Sequence, residues 1–178
     1  MLDLSGLLRH ISEKFTAVGV RYALIGGFAL HAAGYNRATG DIDFLVNAED
    51  ADALKKVLVV MGYQVLFENE NVLNLAAPGQ LVGGVDIIWA RRKYSLDMLD
   101  CAVLGVDSIP VVGPAGIIGL KVQAMANDPD RRARDMADIE WLLKAHFKTM
   151  DITLIREYFE LFGMLPQWDA LLGRIGHA

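Results

Sequence analysis

Three aspartates stand where carboxylates could bind a metal ion. Asp41 and Asp43 flank Ile42 at the start of an apolar segment, and Asp86 interrupts the apolar run at residues 85–89. Side chains at i and i+2 of a strand leave the same face, so Asp41 and Asp43 would project together. Two such carboxylates repel unless a cation or a shared proton compensates, which makes them a candidate Mg²⁺ clamp. With Asp86 on a neighbouring strand, three carboxylates could hold two metal ions and support in-line nucleotidyl transfer.

A glycine pair precedes the acidic segment. Gly26 and Gly27 separate the short apolar run at residues 22–25 from good helix formers at residues 28–33. Glycines let backbone amides approach a phosphate closely, and the N-terminus of a following helix favours anions. A Gly-Gly pair is also common in turns for geometric reasons alone, so both interpretations stay open.

The pattern of strands and helices along the sequence predicts an α+β protein. Strand patterns cover residues 22–25, 41–46, 64–67, 72–76, 82–89, 101–104 and 108–112. Helical spacing covers residues 4–15, 28–33, 51–61, 94–99, 115–126, 131–147, 152–162 and 168–172. We therefore expect a mixed β-sheet with flanking helices over residues 1–113, and a helical C-terminal subdomain, residues 114–178, packed on this core.

The bulk composition narrows the class of protein. The chain of 178 residues is 53% hydrophobic and 22% charged, which is a globular composition. Its net charge of -5 argues against bulk electrostatic binding of nucleic acid. The single cysteine, Cys101, excludes an internal disulfide, and no apolar run has the length of a membrane span. We expect a cytoplasmic protein that does not enter a membrane.

The segment GGFALHAAGYNRATGDIDFLV, residues 26–46, carries a resemblance to a known family. Together with the later acid Asp86, it resembles the nucleotidyltransferase fold of the DNA polymerase β superfamily. Arg37 and Thr39, just before the Asp-Ile-Asp strand, make it similar to the AbiEii-type nucleotidyltransferases, which occur as toxins in bacterial toxin-antitoxin systems. The turn lacks the serine that many polymerase-like members carry, so a hydroxyl contact to phosphate is absent.

The resemblance implies a site and its ligands. Mg²⁺, with Mn²⁺ as a substitute, would be the cofactor, and a nucleoside triphosphate would be the substrate. Members of this family often carry a lysine on the first helix after the sheet, and Lys121 loosely matches it. They often have an Arg-x-x-Asp-x-x-Asp-type helix next, which residues 132–138 loosely match. The implied metal-binding and catalytic residues are Asp41, Asp43 and Asp86, and the implied nucleotide-binding residues are Gly26, Gly27, Arg37, Thr39 and Lys121.

Each of these residues also has a purely structural interpretation. Asp41 and Asp43 would then only begin a solvated strand, and Asp86 would pair with Arg37 or Arg91. Arg37 and Thr39 would cap or brace the loop before the strand. Lys121 would extend along its helix to reach solvent.

Two groups of charged residues lie outside this set. Arg131 with Asp135, and Arg134 with Asp138, have the i,i+4 spacing of surface salt bridges. The basic triplet at residues 91–93 could meet RNA or triphosphate, or could simply be an exposed turn.

Three hypotheses follow for the function. The first is a Mg²⁺-dependent enzyme that moves a nucleoside monophosphate from a triphosphate to a hydroxyl on RNA or protein. The alternative is a catalytically degenerate nucleotidyltransferase-like module that binds a nucleotide or a partner. A third is a component of a toxin-antitoxin pair that binds a cognate toxin or antitoxin protein.

Overall fold

The chain alternates helices and strands in its first part and is helical in its last part. The computed structural model describes residues 4–36, 38–80 and 83–176. The chain divides into two compact units, Met1–Gly113 and Pro114–Ala178. The first unit contains a seven-stranded mixed sheet with helices and the second is built from helices, which confirms the predicted α+β class.

The first unit contains all seven strands of the described residues. They are β1 (Tyr22–Leu24), β2 (Ile42–Asn47), β3 (Gln64–Glu68), β4 (Val72–Ala76), β5 (Val85–Ala90), β6 (Val103–Leu104) and β7 (Pro110–Val111). Its helices are α1 (Leu4–Ala17), α2 (Gly26–Ala32), α3 (Ala51–Val60) and α4 (Lys93–Asp100). The predicted strand over residues 82–89 begins at Val85, and its first position, Val82, lies outside the described residues.

The sheet places the two acidic strands side by side. Its strand order is β3-β4-β5-β2-β1-β7-β6. Strands β2 and β5 run parallel, whereas β4 is antiparallel to β5 and β1 is antiparallel to β2. The central position of β2 and β5 explains their apolar composition, because a strand flanked on both sides and packed on a core tolerates few polar residues.

One face of the sheet carries a buried aromatic cluster that it shares with helix α1. Phe15 of α1, Tyr22 of β1 and Phe44 of β2 form three edge-to-face ring pairs with centroids 5.3–5.7 Å apart. Aromatic pairs in this arrangement stabilise a core beyond the area that they bury. Ile42 and Phe44 point into this core, so Asp43 between them must project from the opposite face.

The second unit consists of four helices, α5 (Pro114–Asn127), α6 (Arg132–His146), α7 (Ile152–Leu161) and α8 (Leu165–Ile175). Helix α5 packs against α6 and α7, and α8 packs against α6 and α7. Helix α8 is longer than the predicted piece at residues 168–172, because Pro166 lies in its first turn, where proline is well tolerated. Among the described residues, no helix has both the length and the apolar character needed to cross a membrane.

Candidate active site

A row of polar side chains crosses three adjacent strands. Asp43 of β2 is the register partner of Asp86 on β5, and Asp86 is in turn the partner of Asn74 on β4. Register partners project from the same face of a sheet, and neighbouring strands lie about 4.8 Å apart. The three residues are intermediate in exposure, whereas their neighbours along each strand are buried. The row of Asn74, Asp86 and Asp43 is therefore an accessible polar strip on an otherwise apolar sheet.

Asp43 lies against the start of helix α2. A Cβ atom at Gly26 would come within 2.0 Å of Asp43 Oδ2, so only glycine leaves room for this carboxylate. Gly26 also has a φ of +63°, a left-handed conformation that side chains disfavour. The glycine pair forms the first turn of α2, whereas the sequence pattern predicted a helix that starts after it. Gly26 therefore leaves the space that the carboxylate of Asp43, a candidate metal ligand, occupies.

Replacing Gly26 with alanine should therefore damage both stability and the site. We expect a loss of about 1–2 kcal/mol from the left-handed backbone conformation. In addition, the new Cβ would push the Asp43 carboxylate away. We expect Mn²⁺ binding to weaken by about 100-fold, because a metal ligand that loses its orientation binds the ion less tightly. Denaturant unfolding and Mn²⁺ titration measure the two effects separately.

Gly19→Ala is the matched control for this substitution. Gly19 has a φ of +76°, but a Cβ there would meet no atom within 4 Å. Both variants should lose similar stability, and only Gly26→Ala should lose metal binding. Equal Mn²⁺ affinity in the two variants would show that the contact between Gly26 and Asp43 has no bearing on the site.

Asp41 lies just before β2, beside the segment that leads into β5. The amide of Ile42 donates to the carbonyl of Gly84 over 2.9 Å, and a Cβ at Gly84 would lie 3.0 Å from Asp41 Oδ1. The buried Tyr63 hydroxyl donates to the carbonyl of Gly83, and burial raises the pKa of Tyr63. These contacts hold the backbone against which the Asp41 carboxylate rests.

Thr39 sits between the glycine pair and the acidic strand. Its hydroxyl donates to the backbone carbonyl of Asp41 over 3.0 Å, and a Cβ at Gly27 would come within 2.6 Å of Thr39 Cβ. Thr39 thus braces the loop as the structural interpretation expects. Its role in nucleotide binding stays a prediction. Arg37 lies outside the described residues.

Asp86 has a partner that the sequence pattern did not single out. Asn74 Nδ2 donates to Asp86 Oδ1 over 2.6 Å. Of the two basic partners considered for Asp86, Arg91 instead donates through Nε to the carbonyl of Glu70. A signal for Asn74 was present in the sequence: it interrupts the apolar strand Val72–Ala76 just as Asp86 interrupts Val85–Ala90.

The donor set of this strip suits a hard divalent cation. Carboxylate oxygens are the ligands that Mg²⁺ prefers, and Mg²⁺ is usually held by one or two carboxylates plus substrate phosphates and water. Asp43 and Asp86, in register on adjacent strands, meet this requirement. Among the described residues, no three acidic, histidine or cysteine side chains are close enough to form a complete protein-only metal site. Remaining ligands would then come from the substrate and from water.

The basic triplet Arg91, Arg92 and Lys93 lies away from the strip. Asp86 pairs near the start of β2, whereas Ala90, next to Arg91, pairs with Asn47 at the other end of that strand. Five residues of extended chain span about 16 Å. This separation and the exposure of the triplet at the start of α4 favour the interpretation as an ordinary exposed turn.

Lys121 belongs to a buried ionic cluster in the helical unit. Its Nζ lies 2.9 Å from Asp135 Oδ1 and 2.6 Å from Asp138 Oδ2, and all three residues are buried. Arg131 adds a contact from its Nε to Asp135 Oδ2 over 3.1 Å. The pairing of Arg131 with Asp135 has the predicted i,i+4 spacing, but its acid is buried and not a surface residue. Lys121 does not extend to solvent, and its role in nucleotide binding stays a prediction.

A family model matches the second half of the chain. The model described as "Nucleotidyl transferase AbiEii toxin, Type IV TA system" covers residues 86–173. The match begins at Asp86 and includes Lys121 and the buried aspartates of α6. A search of curated protein sequences found no significant match.

Several solved structures have a similar fold. ANT(2″)-Ia in complex with adenylyl-2″-tobramycin has a TM-score of 0.63 at 14% identity, over 88% of this chain and 95% of that one. The lincosamide antibiotic adenylyltransferase LnuA, bound to lincomycin, has a TM-score of 0.51 at 17% identity, over 76% and 93%.

A structure from Thermotoga maritima is similar as well. This protein, described as a putative nucleotidyltransferase, has a TM-score of 0.55 at 16% identity, over 78% of this chain and 96% of that one. At such identities the likeness concerns the fold, and it agrees with the family match. This chain is a nucleotidyltransferase-fold protein similar to the AbiEii-type nucleotidyltransferases.

Proposed function

We propose that the protein is a Mg²⁺-dependent nucleotidyltransferase that moves a nucleoside monophosphate from a triphosphate to a hydroxyl acceptor. The observation that carries this proposal is the register of Asp43 on β2 with Asp86 on β5. It brings two carboxylates from distant parts of the sequence side by side on an accessible strip. Asp41, two residues before Asp43, supplies a third carboxylate at the edge of that strip.

The residues of the strip would divide the chemical work between them. Asp41 and Asp43 would hold the metal ion, and Asp86 would act as the third ligand or as the general base that takes the proton of the acceptor hydroxyl. A divalent cation bound there would neutralise charge on the departing pyrophosphate and orient the triphosphate for in-line attack. Gly26, Gly27, Arg37, Thr39 and Lys121 are the residues proposed to contact the nucleotide.

The proposal extends to the acceptor and the biological setting. We infer an acceptor hydroxyl on RNA or protein and a role in a toxin-antitoxin system, and the description of the matching family supports the second point. ANT(2″)-Ia, which has a similar fold, was solved in complex with adenylyl-2″-tobramycin, which supports including small molecules among the candidate acceptors. Acceptor screens should therefore contain RNA, protein and small-molecule fractions.

Thermal melting with each of the four nucleoside triphosphates, with and without Mg²⁺, tests the nucleotide site. Binding to the folded state alone stabilises it by about 2.7 kcal/mol at a ligand concentration of 100 Kd. We expect at least one triphosphate to raise Tm in the presence of Mg²⁺, and Asp43→Asn to lose that rise. An α-labelled form of the same triphosphate then reports transfer to an acceptor.

The outcomes separate the proposed enzyme from the degenerate module. A Mg²⁺-dependent rise in Tm with label transferred to an acceptor supports the enzyme. A rise in Tm without transfer to any acceptor favours the binding module. The absence of any rise at millimolar triphosphate would contradict a nucleotide site and favour a protein partner.

A further inference from the structure

Asn74 lies at the outer end of the polar row and contacts the acid at its centre. It is the register partner of Asp86 across the antiparallel pair of β4 and β5, and its Nδ2 donates to Asp86 Oδ1 over 2.6 Å. Its neighbours Leu73 and Leu75 are buried in the core on the opposite face. The backbone therefore holds the Asn74 amide on the same face as Asp86 and Asp43.

We infer that Asn74 is a positioning residue that orients Asp86 toward the metal ion. This inference rests on the proposed function, because it assigns Asn74 a role at that site. An amide N–H bonded to one carboxylate oxygen restrains rotation of the carboxyl group. The restraint would leave the other oxygen for a cation bound between Asp86 and its register partner Asp43.

The chemical type of the partner favours this role over a purely structural one. An arginine or lysine in place of Asn74 would form an ion pair with Asp86 and offset the charge that attracts a cation. An amide fixes the carboxylate but leaves its charge uncompensated. Carboxylate ligands of metals are commonly hydrogen-bonded by such outer partners, and removing one costs about 10–100-fold in metal affinity or activity.

The order of residues along the row also fits this role. Asp86 lies between Asn74 and Asp43, so the amide is one strand, about 4.8 Å, further from Asp43 than the acid is. Exchanging the two side chains would keep one amide and one carboxylate in contact but would move the carboxylate away from Asp43. The exchange therefore separates support of the fold from support of the metal site.

Mn²⁺ titration, followed by the electron paramagnetic resonance signal of free Mn²⁺, is the test. The site is defined by the binding that the native chain shows and Asp43→Asn loses. We expect Asn74→Leu to weaken this binding by about 10–100-fold while its Tm stays within a few degrees of native. We expect the double variant Asn74→Asp, Asp86→Asn to keep a near-native Tm, because the hydrogen bond is retained in reverse, but to lose the site.

The outcomes distinguish a failure of this inference from a failure of the proposed function. If the native chain binds Mn²⁺ and Asn74→Leu binds it equally well, Asn74 does not position Asp86. If the exchanged pair binds Mn²⁺ like the native chain, the order along the row is irrelevant and the inference is also overturned. If the native chain binds no Mn²⁺ that Asp43→Asn loses, the proposed metal site fails and this inference fails with it.

Discussion

Asp43→Asn is expected to lower the rate of nucleotidyl transfer by about 1,000-fold, comparable to the loss of a preorganised group that stabilises transition-state charge. The structure constrains Asp43 on two sides, since Gly26 leaves room for its carboxylate and Asp86 is its register partner on the next strand. Asparagine has the same shape but carries no charge. The fold should therefore survive while the attraction for the cation is lost.

Asp97→Asn is the matched control for this substitution. Asp97 is an exposed acid of α4 that forms a surface pair with Lys93, and surface pairs contribute about 1 kcal/mol or less. Its transfer rate should equal that of the native chain. If expression of the native chain arrests growth, Asp43→Asn should relieve the arrest and Asp97→Asn should not. Full transfer activity in Asp43→Asn would contradict the proposed catalytic strip.

The acids of the strip could be found from the sequence because their strands are strongly patterned. Asp43 lies between Ile42 and Phe44, and this alternation fixes the face from which the carboxylate leaves. Asp86 was identified because an acid in the middle of a buried strand needs a reason to be there. The expected meeting of these acids on adjacent strands is what the register of β2 and β5 shows.

Asn74 interrupts its apolar strand in the same way, but its contact with Asp86 could not be predicted from that pattern. Contact between Asn74 and Asp86 depends on the register of β4 against β5, and register is set by turns and packing beyond the reach of local pattern. Residues 77–84, which connect these strands, include three glycines, so the register of the two strands cannot be read from the length of the turn. The contact between Gly26 and Asp43 could not be predicted either, because the two residues are 17 positions apart and meet only in the folded chain.

In the helical unit, the i,i+4 spacing of a charged pair was predicted correctly, but its exposure to solvent was not. Arg131 and Asp135 have the i,i+4 spacing of a solvent-exposed pair, but Asp135 also shares a stripe with the buried Ile139 and Leu142. Charged residues on an apolar stripe indicate a buried cluster when a complementary charge lies on a facing helix. Lys121 provides that charge from the apolar stripe of α5, between the buried residues Ile118 and Val122.

Lys121→Met is expected to lower the free energy of unfolding by about 3–5 kcal/mol, the usual cost of removing one partner from a buried ion pair. Methionine fills similar volume, so the loss would come from charge and not from a cavity. Asp138 and Asp135 would remain in the interior, with Asp135 still contacted by Arg131. Urea unfolding followed by circular dichroism measures the change, and Lys144→Met is the control.

Lys144 is also paired through its Nζ to an acid, Glu140, but this pair is exposed. Its loss should cost less than about 1 kcal/mol. Adding Asp138→Leu to Lys121→Met should recover part of the lost stability, because the carboxylate left in the interior is then replaced by an apolar side chain. If Lys121→Met and Lys144→Met were equally stable, the cluster would contribute no more than a surface pair.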